Sequence, residues 1–404
     1  MSRPLRTLLF STLYPSSVRP GHGIFVETRL RELLKSGKVE TRVVAPVPWF
    51  YSTDPRYGEH ALMAATPTRE NRFGIDVLHP RYPVIPKVGM AMAPMLLALA
   101  SLRALRRVIA EGFDFDVIDA HYYYPDGVAA AWLGLHFGKP VTVTARGSDV
   151  NLIANFRWPR KLLQWAGRHV DASIGVSAAL VERMRAMAFD PQRLHVIRNG
   201  VDLDRFRPLD RAAMREELAL TGSPILLTVG NLHDHKGQHL AIEALALLRR
   251  GAYPQARLVV VGDGPDRGRL QRLVADLALE HAVQFAGTVP NTELARWYSA
   301  TDVLVLGSSR EGWPNVLLEA MACGTPVVAS RVGGVPEIVQ AAEAGCMVDP
   351  RTPGAFAQAL ADLLTKLPAR ASVRAYASQF GWDRTSQDQL KLFESLRATG
   401  PANA

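Results

Sequence analysis

The sequence predicts an α/β protein of two domains, each built on a parallel sheet with crossover helices, and three observations carry that prediction. Short β-branched or apolar runs alternate with longer helical patterns through both halves of the chain. At 404 residues the chain is too long for one ordinary core, and two domains of about 200 residues each follow. A turn-rich polar stretch, NGVDLDRFRPLD at 199–210, separates the two series of strands.

In the first series, 7–10, 41–47, 115–121, 141–147, 172–177 and 194–200 read as strands. In the second, 225–230, 256–264, 283–287, 301–308 and 325–330 do so. The expected division is 1–198, 199–380 and a terminal helical segment 381–404. Ligands of such sheets bind beyond the carboxyl ends of the strands, so chemistry is sought in the loops that follow them.

Composition narrows the class. An apolar fraction of 48% with a mean hydropathy of +0.01 describes a globular chain and argues against disorder or multiple membrane spans. The opening LRTLLFSTLYP is a short strand running into a turn and not a secretory signal, so a cytoplasmic protein is expected. Cys323 and Cys346 are far apart and each sits beside a glycine, which favours free thiols over a disulfide or a thiolate metal site. The net charge of +9 lies wholly in the first half, where 26 Lys and Arg face 16 Asp and Glu over 1–200. Such a surface suits an anionic membrane, an acidic substrate or nucleic acid, or is plain solvated charge.

The stretch 88–108 is apolar and then basic. It is too short to span a bilayer and reads either as a helix packed on a sheet or as one lying at a membrane interface. FRWPRKLLQWAGR at 156–168 presents the same two readings.

The most informative stretch is SSREGWPNVLLEAMACGTPVVASRVGGVPEIV, 308–339. Pro314 suits the first turn of a helix, where its missing N–H is no loss, and Gly324, Thr325 and Pro326 read as the stop. Glu311 then falls in the preceding loop and Glu319 inside the helix. Between them, the first amides near Asn315 and Val316 form an anion site at the positive helix end. Two carboxylates beside an anion site suit a ligand with both hydroxyls and phosphates.

Other strand ends add to this. Lys236 and Gly237 follow a strand and precede a helix, a placement suited to a diphosphate. Gly262 and Gly264 in VGDGP let backbone approach a base or ribose, although the spacing is not the dinucleotide fingerprint. Gly21 and Gly23 form a loop after the first strand, His121 ends a strand, and Arg146 and Asp149 follow another. His233, His235 and His239 lack the partners that a zinc site requires.

Together the loop at Gly21 and Gly23, IGVSAAL at 174–180, NGVDLDRFRP at 199–208, Lys236 with Gly237, VGDGP and EGWPNVLLE resemble the family 4 retaining glycosyltransferases over nearly the whole chain. The opening LYPSSVRPGHGIFVE, with HYYYPDG and ARGSD, looks most like bacterial enzymes of exopolysaccharide, teichuronic acid or lipopolysaccharide assembly. The resemblance implies the GT-B fold, two Rossmann-like domains facing across a cleft, with the final helix returning to the first domain. It implies metal-independent transfer from a UDP- or GDP-sugar, a co-substrate and not a cofactor, to a lipid-linked or growing saccharide, and the excess positive charge suggests an acceptor at the cytoplasmic face of the inner membrane. Lys236 would hold the diphosphate and Glu319 the ribose. Glu311 and the backbone from Gly312 through Trp313, Pro314 and Asn315 to Val316 would hold the transferred sugar. His121 would lie beside the reacting centre, and Gly23 would complete the phosphate pocket.

One departure stands out. The family commonly carries Arg where this chain has Asn231, and Arg146 is the candidate to supply the missing charge. The other readings are a noncatalytic nucleotide-sugar scaffold and a GT-B epimerase or phosphorylase. A nucleic-acid binder lacks a recognisable module, so no nucleic-acid partner is expected.

Overall fold

A computed structural model describes residues 3–85 and 89–400, so Val88, the start of the apolar stretch above, and 401–404 of the terminal segment lie outside the described residues. The chain forms two compact units, one of Met1–Arg198 with Asp383–Ala404 and one of Asn199–Trp382.

Among the described residues the first unit contains ten strands: β1 (Leu5–Phe10), β2 (Val39–Val44), β3 (Val47–Pro48), β4 (Arg69–Arg72), β5 (Ile75–Leu78), β6 (Arg81–Tyr82), β7 (Val117–His121), β8 (Val141–Ala145), β9 (Ala172–Gly175) and β10 (Leu194–Val196). Eight of them form one sheet in the order β10-β9-β8-β7-β1-β2-β5-β4, and β3 with β6 makes a separate short pair. Every pairing in the large sheet is parallel except β4 with β5. β7 and β8 are buried at every residue, as parallel strands covered on both faces must be. The helix Trp382–Thr399 packs Leu390 and Phe393 against Leu5, Val39 and Val117 of the sheet and Leu33 of the helix Ile24–Leu34.

The second unit carries β11 (Ile225–Val229), β12 (Arg257–Val261), β13 (Val283–Gly287), β14 (Val303–Leu306), β15 (Val327–Ser330) and β16 (Gly345–Val348). They form a wholly parallel sheet of order β13-β12-β11-β14-β15-β16. The core joins Leu226, Val260, Val305 and Val328 to Leu240, Ala244 and Leu248 of the helix Gln238–Arg250. The helical spacing of those last three residues turns one stripe onto the sheet.

Both sheets reverse their order once. In the first, the chain runs outward from β1 through β2 and then resumes on the other side of β1 at β7; in the second, it runs from β11 through β12 and resumes at β14. The carboxyl ends of β1 with β7, and of β11 with β14, are therefore the crevices where an open α/β sheet takes its ligand.

The structure departs from the sequence-based expectations in places. The hairpin of β4 and β5, the short β6, and β16 lie outside the predicted strands, because polar RENR and the Gly-Cys start of GCMV do not read as buried parallel strands. The single predicted strand 41–47 divides into the end of β2 and the start of β3. The helix at the acidic pair begins at Asn315, with Pro314 as its extended cap at φ −77° and ψ 92°. The apolar stretch forms the helix Gly89–Ala110, which buries Leu97, Ser101, Leu105 and Val108 and exposes Met90, Met95 and Leu99. In the helix Arg157–His169, Trp165 stacks on His169 at 4.5 Å, while Trp158 and neighbouring Phe156 are exposed. Among the described residues no helix is long and apolar enough to cross a membrane.

Candidate active site

In the second unit the crevice between β11 and β14 is flanked by two loops. The loop after β11 runs through Asn231 and a short turn, Asp234–Lys236, to Gly237, which opens the helix Gln238–Arg250. Gly237 stands at φ +69°, and a Cβ there would lie 1.9 Å from Gly307 O at the end of β14. Only glycine tolerates both the backbone and the contact, and the result is that Lys236 is held against the neighbouring loop. Its Nζ donates to Glu311 Oε1 at 2.8 Å, and Ser308 Oγ donates to the same oxygen at 2.7 Å. The Glu311 side chain is 9% exposed, so these two donors partner a carboxylate largely removed from water.

The loop carrying Glu311 is backed by a second glycine. Gly333, at φ +51°, packs so closely that a Cβ would fall 1.8 Å from Glu311 O. Beyond Glu311, Gly312 and Trp313 are buried, and the indole Nε1 donates to Asn199 O at 3.0 Å. The Trp313 ring is thus anchored inward. Leu317 N donates to Pro314 O at 3.1 Å, so the amides of Asn315 and Val316 precede the first bond inside the helix.

Glu319 lies one turn further along. It accepts from Tyr298 Oη at 2.8 Å, and burial pushes its carboxyl up to about 7, against which the Tyr298 bond and the charge of Arg205 act. Gly262 and Gly264 follow β12 and pack on the loop after β11, against Gly230 O and the Leu232 backbone. Asn231 is exposed, while its carbonyl accepts from Gln238 Nε2 at 3.1 Å. Lys236, Glu311, Asn315, Gly262 and Asn231 thus follow the carboxyl ends of β11, β12 and β14.

In the first unit the crevice between β1 and β7 collects the remaining candidates. Ser11 Oγ, just past β1, donates to His121 O at the end of β7, at 2.9 Å. Gly23 begins the helix Ile24–Leu34 at φ +68°, where a Cβ would meet Leu13 O at 2.3 Å. Phe25 in that helix lies under the Arg146 guanidinium at 5.1 Å. Arg146 Nη2 lies 2.6 Å from His121 Nδ1. Because a guanidinium can only donate, Nδ1 is the acceptor and Nε2 carries the proton, which it gives to Asp119 Oδ2 at 3.2 Å. Burial lowers the His121 pKa to about 4, with Asp119 opposing and Arg146 reinforcing the shift, so the ring is neutral at ordinary pH. Arg146, lowered to about 9 by burial and by the charge of Arg29, stays cationic.

Asp119 sits two residues before His121 and shares its face of β7. It also accepts from Thr142 Oγ1 at 3.0 Å and from Gln389 Nε2 at 3.0 Å; Gln389 Oε1 in turn accepts from Arg29 Nε at 2.9 Å. Asp149, the other acid of the ARGSD stretch, is wholly buried and accepts backbone N–H bonds from Tyr123, Arg146, Gly147 and Val150. It holds the loops of His121 and Arg146 together and presents nothing outward.

Sequence reasoning does not single out Asp119, Gln389, Arg29, Ser308 or Tyr298. Asp119 is within its reach, since a strand places alternate residues on one face. The others meet their partners through tertiary packing.

The chain resembles known proteins along most of its length. Residues 210–380 match the model described as glycosyl transferases group 1, and 55–205 match glycosyltransferase family 4. The putative teichuronic acid biosynthesis glycosyltransferase TuaC of Bacillus subtilis is 31% identical over 370 residues, covering 90% of this chain and 89% of that protein. D-inositol 3-phosphate glycosyltransferase 2 of Catenulispora acidiphila is 32% identical over 315 residues, covering 70% and 72%. Among solved structures, sucrose-phosphate synthase from Thermosynechococcus elongatus superposes with a TM-score of 0.79 at 23% identity, covering 98% of this chain and 100% of that one. HepE of Anabaena, in complex with UDP-glucose, gives 0.72 at 20% identity, covering 97% and 99%. Two parallel-sheet units, matches to both family models and relatives above 30% identity over most of their length lead to one conclusion: the chain belongs to the family 4 glycosyltransferases of GT-B fold.

Proposed function

We propose that this glycosyltransferase moves a sugar from a UDP- or GDP-sugar, with retention and without an obligatory metal, to a lipid-linked or growing saccharide of a cell-surface polysaccharide. The observation that carries the donor half is the Lys236–Glu311 pair at the switch point of the second sheet, beside the start of the helix Asn315–Ala322. A flexible ammonium, an anion-binding helix end and two carboxylates suit a diphosphate joined to sugar and ribose hydroxyls. HepE in complex with UDP-glucose shares the fold and supports the same ligand class.

In this reading Lys236 leaves Glu311 for the diphosphate and stabilises its charge as the sugar departs. Glu311, released, accepts from hydroxyls of the transferred sugar, and Glu319 from those of the ribose. Gly262, Gly264 and the backbone from Gly312 to Val316, with Trp313 and Pro314 shaping it, line the donor. In the first unit, Arg146 offers a cation to substrate charge. When Arg146 turns away, His121 Nδ1 becomes a lone-pair acceptor for a substrate hydroxyl. Gly23 lets the adjoining loop approach closely. Retention follows from front-face attack, in which the departing phosphate takes the acceptor proton.

The kinship with TuaC supports a cell-surface product, and the basic first half with exposed Met90, Met95 and Leu99 supports work at the cytoplasmic face of an anionic membrane. The experiment is a thermal-shift panel of nucleotide diphosphates and nucleotide sugars, followed by transfer assays in chelator with the product anomer read by NMR. A stabilising UDP or GDP ligand and a retained anomer are expected. An inverted product, or no response to any nucleotide, would overturn the reading.

A further inference from the structure

The loops that follow β1, β2 and β5 enclose a hollow of about 610 Å³, its open mouth included. These three strands are neighbours in the sheet, and the hollow lies at their carboxyl ends. Its place at these strand ends fits a small-ligand site.

Its chemistry is one-sided. Arg19 is the only arginine or lysine among the described lining residues, and none of them is acidic. Thr12, Ser16, His22 and Thr66 add polar atoms, while Pro46, Val47, Pro48 and Met63 form an apolar wall.

Arg19 is built in. Its side chain is 17% exposed. His22 Nε2 donates to Thr12 O at 3.1 Å, which leaves Nδ1 to accept from Arg19 Nη2 at 3.1 Å. Burial, then the Arg19 charge, holds the His22 pKa below its ordinary value, so the ring orients the guanidinium without cancelling its charge. The carboxylate Arg19 meets is Glu59, 3.3 Å away and 68% exposed. An ion pair with one partner largely in water is weak, and an incoming anion displaces it readily.

Directly after the Pro48 wall come Trp49 and Tyr51, 60% and 65% exposed, with Phe50 packed on His60 at 5.0 Å. Tyr51 packs on Phe50 and Tyr57, while Trp49, next in the chain to Pro48, leaves a large aromatic surface in water that suits the C–H face of a sugar ring.

We propose that this hollow is an acceptor subsite for a saccharide bearing a carboxylate or phosphate, its anion on Arg19 and its ring against Pro46, Val47 and Pro48. The proposal rests on the glycosyl-transfer reading and extends it to the class of acceptor.

The test is saturation-transfer NMR on the whole chain with glucuronate, glucose 6-phosphate, glucose and inorganic phosphate, with UDP titrated in parallel. The anionic sugars are expected to give signals at least ~5-fold stronger than glucose, falling by about that factor in Arg19→Gln. Val47→Trp, which fills the hollow, should abolish them, with UDP affinity unchanged in both variants. A response from only one anionic sugar supports the proposal and names the anion. Equal signals from glucose, full retention in Arg19→Gln, or no signal at all overturns it. So does inorganic phosphate competing as well as glucose 6-phosphate, or a loss of UDP affinity in Arg19→Gln in place of sugar binding. Failure of the wild type to bind any nucleotide counts against the donor reading alone.

Discussion

Gln389 donates from Nε2 to Asp119 Oδ2 at 3.0 Å, tying the helix Trp382–Thr399 to the strand that ends in His121. Its Oε1 accepts from buried Arg29, so one amide satisfies an acid and a base together. Gln389→Leu leaves both without it and should destabilise the protein by about 1–3 kcal/mol, read by denaturant titration. If Asp119 positions His121, Asp119→Asn should lower kcat by about 10- to 100-fold with little change in donor KM. The His121 Nε2 proton is expected to be protected from exchange in the wild type and to exchange rapidly in Asp119→Asn, read in NMR spectra. Unchanged kcat and protection in Asp119→Asn would show that the carboxylate is structural only.

Glu319 carries a pH signature. Its folded pKa of about 7 lies above the ordinary 4.5, so the folded state binds this proton more tightly than the unfolded chain does. Stability from this source is complete below about 4.5 and is lost as pH rises through about 7. Glu319→Gln removes the titration while keeping an acceptor for Tyr298. Its melting temperature relative to wild type should therefore climb between those limits, by a free energy of order 1–3 kcal/mol. A pH-independent difference would refute the assignment.

Lys236 and Glu311 should behave as a coupled pair. Lys236→Met strands a carboxylate that is 9% exposed, leaving it the Ser308 hydroxyl and its surroundings. Loss of stability in Lys236→Met should be relieved by adding Glu311→Gln, a double-mutant coupling of about 1–3 kcal/mol. Turnover should fall by roughly 10²–10³ in Lys236→Met, with no recovery in the double variant. Restored turnover would move leaving-group stabilisation away from Lys236.

Gly333→Ala should act without touching any ligand atom. Its φ of +51° and the 1.8 Å approach of a Cβ to Glu311 O force the Glu311 loop to shift. A cost above about 1 kcal/mol is expected, with weaker nucleotide binding read by calorimetry. Wild-type affinity would mean that the loop yields without moving Glu311.

Much of the Lys236–Glu311 arrangement is legible in the sequence. EGWPNVLLE and the Lys236 turn announced themselves because strand, loop and helix start follow one another locally, and sheet topology then brings those loops together. Pro314 caps its helix instead of entering the first turn, since its fixed φ serves either position. The His121 network was only half visible. Asp119 lies on the same strand face, but Gln389 is 270 residues away, and no local pattern marks such a partner. Tyr298 likewise meets Glu319 only through helix packing. The β4–β5 hairpin escaped because RENR is polar and half exposed, so its strand signal is weak.

The first unit is interrupted in sequence by the second: Met1–Arg198 must await Asp383–Ala404. During synthesis at roughly 5–20 residues per second, the intervening unit takes on the order of ten seconds or more to emerge. Until then Leu5, Val39 and Val117 lack the Leu390 and Phe393 cover, and Asp119 lacks the Gln389 amide. The uninterrupted unit can close first. The histidine network is therefore a late product of the ribosome, completed by the helix that follows everything it serves.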